Sequence, residues 1–78
     1  MNNVEKYAEI LTRTLMIDRA DVESASAASL PAWDSIGKLT MVAGIEEAFS
    51  IELEAEDIIH FNSYTEGLAI LKKYGVEL

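Results

Sequence analysis

The chain of 78 residues contains no cysteine and one proline. Without cysteine it can form no disulfide and has no thiolate nucleophile, so nothing points to an oxidising compartment. The N-terminal stretch MNNVEKYAEI lacks the basic start and apolar centre of a secretory signal, and no apolar run approaches the roughly 20 residues needed to cross a bilayer. We therefore expect one domain over residues 1–78, located in the cytoplasm and without a membrane span.

Basic residues are also scarce. There are 6 lysines and arginines against 14 aspartates and glutamates, which gives a formal net charge of −8. Seven carboxylates and no basic residue lie between Lys38 and Lys72. Negative charge repels phosphate backbones, so we expect no nucleic acid partner and instead expect basic protein surfaces to be attracted. The alternative is that these carboxylates only keep a small domain soluble.

Residues suited to catalysis or metal binding are few. The single histidine, His60 in DIIHF, is flanked by apolar residues and is expected to be structural. A serine hydrolase would need that base, an orienting carboxylate and an oxyanion hole around one serine. The stretch DRADVESASAAS has alanine where the third position of a calcium loop needs an oxygen ligand. We predict neither an enzyme nor a metal site.

Helical periodicity covers most of the chain. Apolar residues recur at helical spacing over residues 3–16, where Asn2 or Asn3 can cap the helix. The stretch SYTE, with Ser63 three residues before Glu66, is a capping box, and Gly75 stands where a glycine would end that helix. We predict helices over residues 3–16, from residue 34 or 35 to 49, around 55–60, and from about 63 onward.

A long loop, IDRADVESASAASLPAW, separates the first two helices, and its apolar residues Val22, Leu30 and Trp33 are the expected anchors to the core. The segment SIELE alternates in polarity, but an isolated strand has nothing to pair with. The predicted fold is therefore all-α: a small antiparallel bundle of three main helices plus one short helix, with the long loop between the first and second helices.

The second helix is apolar on two opposite sides. One side is expected to fill the core and comprises Met41, Val42, Ile45 and Phe49. The other side carries Ile36, Leu39 and Ala43, with Thr40 and Glu47 among them. Three helices cannot bury both sides, so the second is covered by the short helix, by the long loop or by a partner. An apolar patch beside carboxylates favours a partner.

Ser35 lies at or next to the start of this helix, where free N–H groups and the helix dipole favour a phosphate group. Alternatively, Asp34 or Ser35 is simply the N-cap. The stretch WDSIGKLTMVAGIEEAFSIELEAEDI resembles the acyl carrier protein family, whose signature is Asp-Ser followed by an aliphatic residue at the start of the second helix. The resemblance covers nearly the whole chain in order, length and charge.

The resemblance implies that the Ser35 hydroxyl receives 4'-phosphopantetheine from coenzyme A through a phosphopantetheinyl transferase, and that the thiol of this arm carries acyl groups as thioesters. Asp34 would assist at the metal centre of the transferase. Basic surfaces of the transferase and of acyl-loading and acyl-processing enzymes would meet Glu46 and Glu47. The implied docking face comprises Asp34, Ile36, Leu39, Thr40, Ala43 and Glu47.

The implied protein is a monomeric, free-standing carrier in fatty acid or specialised polyketide or lipid biosynthesis. The alternatives are an aminoacyl or peptidyl carrier and an unmodified helical interaction module. Thr40 replaces an acidic residue that is frequent on the docking face, and Lys38 adds a positive charge nearby, which predicts a specialised carrier. Gly37 and Gly44 each cost roughly 1 kcal/mol relative to alanine within a helix, which indicates close approach of another segment or useful mobility.

Overall fold

The computed structural model describes residues 2–78, and it confirms that the chain is all-helical. The α-helices are α1 (Asn3–Leu15), α2 (Ser35–Phe49), α3 (Ala55–His60) and α4 (Tyr64–Lys73). The segment predicted to be a long loop also contains a 3₁₀ helix, Arg19–Ser24. None of the helices within residues 2–78 has both the length and the apolar character that a membrane crossing requires.

Local capping chemistry sets the helix ends. The Asn2 side chain accepts a hydrogen bond from the Glu5 N–H at 2.8 Å, so Asn2 is the cap of α1. The first helix was predicted over roughly residues 3–16, and it ends at Leu15, because Met16 adopts the left-handed conformation with φ 57° and is the C-cap. At α4, the Ser63 hydroxyl accepts from the Glu66 N–H at 3.0 Å, and Gly75 follows the helix with φ 84°.

The core lies where α1 packs against α2 and where the loop and α4 close over them. From α2 it takes Met41, Val42 and Ile45, as predicted, while Phe49 is half-buried at its edge. Its largest fully buried side chains are Tyr7, Phe61, Leu11, Met41, Ile45, Leu71 and Val22. The side of α2 that carries Met41, Val42 and Ile45 is therefore buried in the core, and the opposite side is not.

Tyr7 joins α1 to the first turn of α4. Its hydroxyl is buried and donates a hydrogen bond to the Tyr64 carbonyl oxygen at 2.8 Å. Burial, together with the nearby Tyr64 hydroxyl, raises the pKa of Tyr7, which keeps the hydroxyl protonated as a donor. A Cβ atom at Gly67 would collide with the Tyr7 hydroxyl and with the Phe61 ring, so only glycine allows α1 and α4 to approach this closely.

The long loop is tied down along its length. Val22 in the 3₁₀ helix and Trp33 at the loop's end are buried, and Leu30 is half-buried against the core, which confirms these three anchors. The Trp33 indole N–H donates to the Phe61 carbonyl oxygen at 3.3 Å, and the two rings meet edge to face with centroids 5.4 Å apart. The loop therefore ends at a fixed place beside the junction of α3 and α4.

The short helix α3 is attached to the end of α4 by side chains. The Lys73 ammonium donates to Asp57 Oδ1 at 2.8 Å, and the Tyr74 hydroxyl donates to Asp57 Oδ2. Tyr74 also accepts a hydrogen bond from the Glu54 N–H at 2.9 Å, just before α3 begins. The hydrogen bonds from Lys73 and then Tyr74 lower the pKa of the Asp57 carboxyl below its ordinary value.

This arrangement predicts a stability contribution that depends on pH. Because the pKa of Asp57 is lowered in the folded state, the carboxylate stabilises the fold above the ordinary aspartate pKa of about 3.9, and this contribution is lost as pH falls through the lowered value. Asp57→Asn should therefore unfold at a lower urea concentration than the wild type at about pH 7. The difference should close as the pH falls through the lowered pKa of Asp57, where the wild-type carboxyl becomes protonated.

Glu52→Gln is the matched control, because Glu52 is an exposed carboxylate in the loop before α3. Its unfolding midpoint should stay close to that of the wild type throughout this pH range. A gap between the wild type and Asp57→Asn that stays constant from neutral to acidic pH would contradict the assignment of stability to the charged form of Asp57.

Candidate functional site

The start of α2 separates the roles of its first two polar residues. Asp34 is the N-cap, and its Oδ1 accepts a hydrogen bond from the Gly37 N–H at 2.7 Å. Ser35 is the first helical residue and is exposed. The sequence left open which of the two is the cap, and the structure assigns that role to Asp34. Helix capping therefore explains why an aspartate stands at position 34, but it does not explain the serine at position 35.

Close approach of the loop fixes this turn of helix. A Cβ atom at Gly37 would collide with the backbone carbonyl oxygen of Ala32, so the loop folds directly onto the first turn of α2. At Gly44, a Cβ atom would lie 3.2 Å from Cγ2 of Ile10 on α1. Close approach of a neighbouring segment therefore explains Gly37, whereas at Gly44 the contact with the Ile10 side chain is milder.

The second apolar side of α2 is open to solvent. Ile36 is 76% exposed and Leu39 is 58% exposed. Ala43 and Glu47 are exposed as well, and so is Thr40, whose hydroxyl donates to the Ile36 carbonyl oxygen at 2.9 Å. Neither the loop nor the short helix buries this side, so two of the three alternatives drawn from the sequence are wrong.

Helix α3 extends this open surface. Ile59 is 66% exposed, and it lines the same groove as Leu39. We call Ile36, Leu39 and Ile59 the apolar patch. The sequence analysis missed Ile59, although the doublet Ile58–Ile59 in a six-residue helix was a usable signal. Adjacent helical residues point about 100° apart, so a short helix lying on a small core buries one of them more easily than both.

A groove of about 460 Å³ runs between the start of α2, the loop and α3, and Ser35 lines it. Its walls are mainly apolar, with a hydroxyl, a carboxylate, an ammonium and an amide added at one side. The lining residues are Ala27, Trp33, Asp34, Ser35, Lys38, Leu39, Ile58, Ile59 and Asn62. The lining includes neither a histidine nor a lysine free of other contacts to serve as a base for Ser35.

Lys38 connects α2 to the end of α3 across this groove. Its ammonium donates to Asn62 Oδ1 at 2.8 Å and to the Ile59 carbonyl oxygen at 3.4 Å. The Asn62 amide also donates to the Ile59 carbonyl oxygen, at 3.0 Å. We call these three residues the Lys38 clamp. Lys38 is half-buried and points toward α3, so its positive charge lies at the edge of the apolar patch, next to Ile59.

Two further sequence expectations are corrected here. Glu46 is half-buried, and its carboxylate accepts a hydrogen bond from the Leu53 N–H at 2.8 Å, so it holds the loop after α2. Of the two glutamates predicted to meet basic partners, Glu47 is exposed on the open side and Glu46 is half-buried. His60, expected to be structural, is exposed at the last position of α3 and is not a core residue.

The structure thus brings Asp34, Ser35, Ile36 and Leu39 together at one end of α2, while Thr40, Ala43 and Glu47 continue along the same exposed side. Within residues 2–78, no group of three or more histidine, aspartate or glutamate side chains is arranged to hold a metal ion. Comparison of the sequence with known protein families gives no match, and comparison with curated proteins gives none either.

The two glycines of α2 should respond differently to replacement by alanine. Gly37→Ala should destabilise the protein by about 1–3 kcal/mol, because the new methyl group meets a backbone carbonyl that can move only with the loop. Gly44→Ala should change the free energy of unfolding by less than about 1 kcal/mol, because the gain in helix propensity offsets a mild contact with the Ile10 side chain. Urea unfolding of both variants measures the difference, and equal effects would contradict the close approach of Ala32.

Proposed function

We propose that this chain is an acyl carrier protein that bears 4'-phosphopantetheine on Ser35 and carries acyl intermediates as thioesters. The observation that supports this most is the position of Ser35: an exposed serine at the first turn of a helix, on the rim of an apolar groove, with the neighbouring Asp34 already serving as the cap. The Asp-Ser-aliphatic triplet of the family coincides with this position.

The residues around Ser35 fit such an arm. The N–H groups at the start of α2 and the helix dipole favour a phosphodiester on the Ser35 oxygen. In the transfer, an Oγ–phosphorus bond forms and the diphosphate bond of coenzyme A breaks, so that the adenosine bisphosphate leaves and the hydroxyl proton passes to a base of the transferase. Asp34 keeps Oδ2 free of the cap and offers it to the metal centre of the transferase. Once attached, the arm supplies the thiol that this cysteine-free chain lacks.

The apolar patch and Glu47 form the proposed docking surface. An exposed apolar patch next to carboxylates suits enzymes whose contact surface combines an apolar centre with basic residues. In this proposal the chain is a cytoplasmic monomer with no catalytic activity of its own, and its three longer helices form an antiparallel bundle. The pathway is fatty acid synthesis or, as Thr40 favours, a specialised polyketide or lipid pathway.

The direct test is incubation with coenzyme A and a broad-specificity phosphopantetheinyl transferase, followed by intact-mass measurement. The wild type should gain the mass of one arm, and Ser35→Ala should stay unmodified while keeping its fold. Ser29→Ala, which removes an exposed serine from the loop, should be modified like the wild type. If the wild type gains no mass, the chain is better described as an unmodified helical interaction module.

Docking should depend on charge. Glu47→Lys should slow loading by the transferase, and added salt should slow loading of the wild type, because exposed charge pairs are individually worth about 0.2–1 kcal/mol and are screened by salt. Glu77→Lys makes the same change of charge near the C-terminus, outside the proposed docking surface, and should have a smaller effect. Initial loading rates measured from about 50 to 500 mM salt test this. A rate that is insensitive to both Glu47→Lys and salt would remove the electrostatic part of the proposal.

A further inference from the structure

Lys38 is a basic side chain without an acidic partner. Among residues 2–78, the ion pairs join Arg13 to Glu9, Arg19 to Glu5 and Lys73 to Asp57, and Lys38 takes part in none of them. Its ammonium instead donates to two neutral oxygens, those of the Asn62 side chain and the Ile59 main chain. In a chain of net charge −8, a half-buried lysine that contacts only neutral acceptors is unusual.

The neighbouring carboxylate does not change this. Asp34 lies four residues before Lys38, a spacing at which opposite charges on a helix can pair. However, Asp34 caps α2 through Oδ1, and Lys38 turns toward Asn62. An ammonium group has three hydrogens to donate, and two are directed at the neutral acceptors. The bond to the Ile59 carbonyl oxygen, at 3.4 Å, is the weaker of the two.

Lys38 also lies one turn of helix after Ser35, and both residues line the same groove. Side chains three residues apart on a helix are neighbours, with Cβ atoms roughly 5–6 Å apart. A phosphodiester on the Ser35 oxygen would therefore add a negative charge within reach of the Lys38 ammonium. A bond to a phosphate adds the attraction between opposite charges, which a bond from the ammonium to a neutral carbonyl lacks, so the phosphate is a better acceptor than the Ile59 carbonyl.

We infer that Lys38 is the counterion of the phosphodiester and that modification of Ser35 draws it away from Ile59. This inference rests on the proposed function. In the unmodified protein the Lys38 clamp holds the C-terminal end of α3 against α2. In the modified protein the ammonium pairs with the phosphate, the Ile59 carbonyl loses a donor, and the wall of the groove formed by α3 loosens. Modification of Ser35 thereby determines how firmly α3 is held as the wall of the groove.

Hydrogen exchange at the end of α3 tests the inference. The reporters are the N–H groups of Phe61 and Asn62, which donate to the Ile58 and His60 carbonyl oxygens at 3.2 and 3.0 Å. In the wild type, modification should speed their exchange by about fivefold, the effect expected from losing one ordinary hydrogen bond. Raising the salt concentration should reverse much of this change, because screening weakens the pairing of phosphate and ammonium.

Three variants test whether the change in hydrogen exchange depends on the Lys38 clamp or only on the charge of the protein. In Lys38→Met, these amides should exchange at the faster rate before modification and should not respond further to the arm. Asn62→Ala, which keeps the ammonium and removes its acceptor, should also begin at the faster rate. Lys72→Met removes the same charge from an exposed position on α4 and should respond like the wild type.

Intact mass is recorded for every sample, so a wild type that takes up no arm overturns the proposed function and with it this inference. Equal exchange in the modified and unmodified wild type would overturn the inference alone, and so would a Lys38→Met variant that responds to the arm as the wild type does. Comparison of hydrogen exchange in the wild type with and without the arm tests the inference even if one variant folds poorly.

Discussion

The contact between Trp33 and Phe61 fixes the position of the first turn of α2 relative to α3 and α4. A buried indole N–H requires an acceptor, and the carbonyl of Phe61, the residue that ends α3, requires a donor. The indole N–H and the carbonyl form a hydrogen bond with each other, and the two rings exclude water around this bond. Because Trp33 directly precedes the cap residue Asp34, this contact places the first turn of α2 beside the junction of α3 and α4. The groove next to Ser35 exists because these two chain segments are joined at this point.

The same contact explains why one side of α2 stays open. α1 covers the side that carries Met41 and Ile45, and the loop and α4 complete the core around it. The short helix α3 is joined to the start of α2 at its C-terminal end only, through the Lys38 clamp, and it contributes the exposed Ile59 instead of covering Leu39. The helices within residues 2–78 leave this second side uncovered, so its apolar residues are exposed.

Features governed by neighbouring residues were predictable from the sequence. The caps at Asn2 and Ser63 and the turn at Gly75 depend on local hydrogen bonds and on one left-handed residue; Ser63 and Gly75 were identified, and Asn2 was one of two candidates for its cap. Lys38 and Glu46 were misread as surface charges because their acceptor and donor lie 24 and 7 residues further along the chain. Nothing in a local pattern distinguishes a lysine that reaches across a groove from one that faces water. The role of Ser35 remains a prediction that depends on the family resemblance and on the geometry around it.

The way α3 is attached bears on how related sequences can diverge. The broad helix contacts join α1 to α2 and the 3₁₀ helix to α1 and α4, and α3 takes part in none of them. Besides the packing of Ile58 against the core, α3 is held by polar side chains, through Asp57 with Lys73 and Tyr74 and through the Lys38 clamp. Substitutions at these few positions would alter the width and rigidity of the groove while the residues of the core stay the same. A few sequence changes outside the hydrophobic core can therefore reshape the groove beside Ser35.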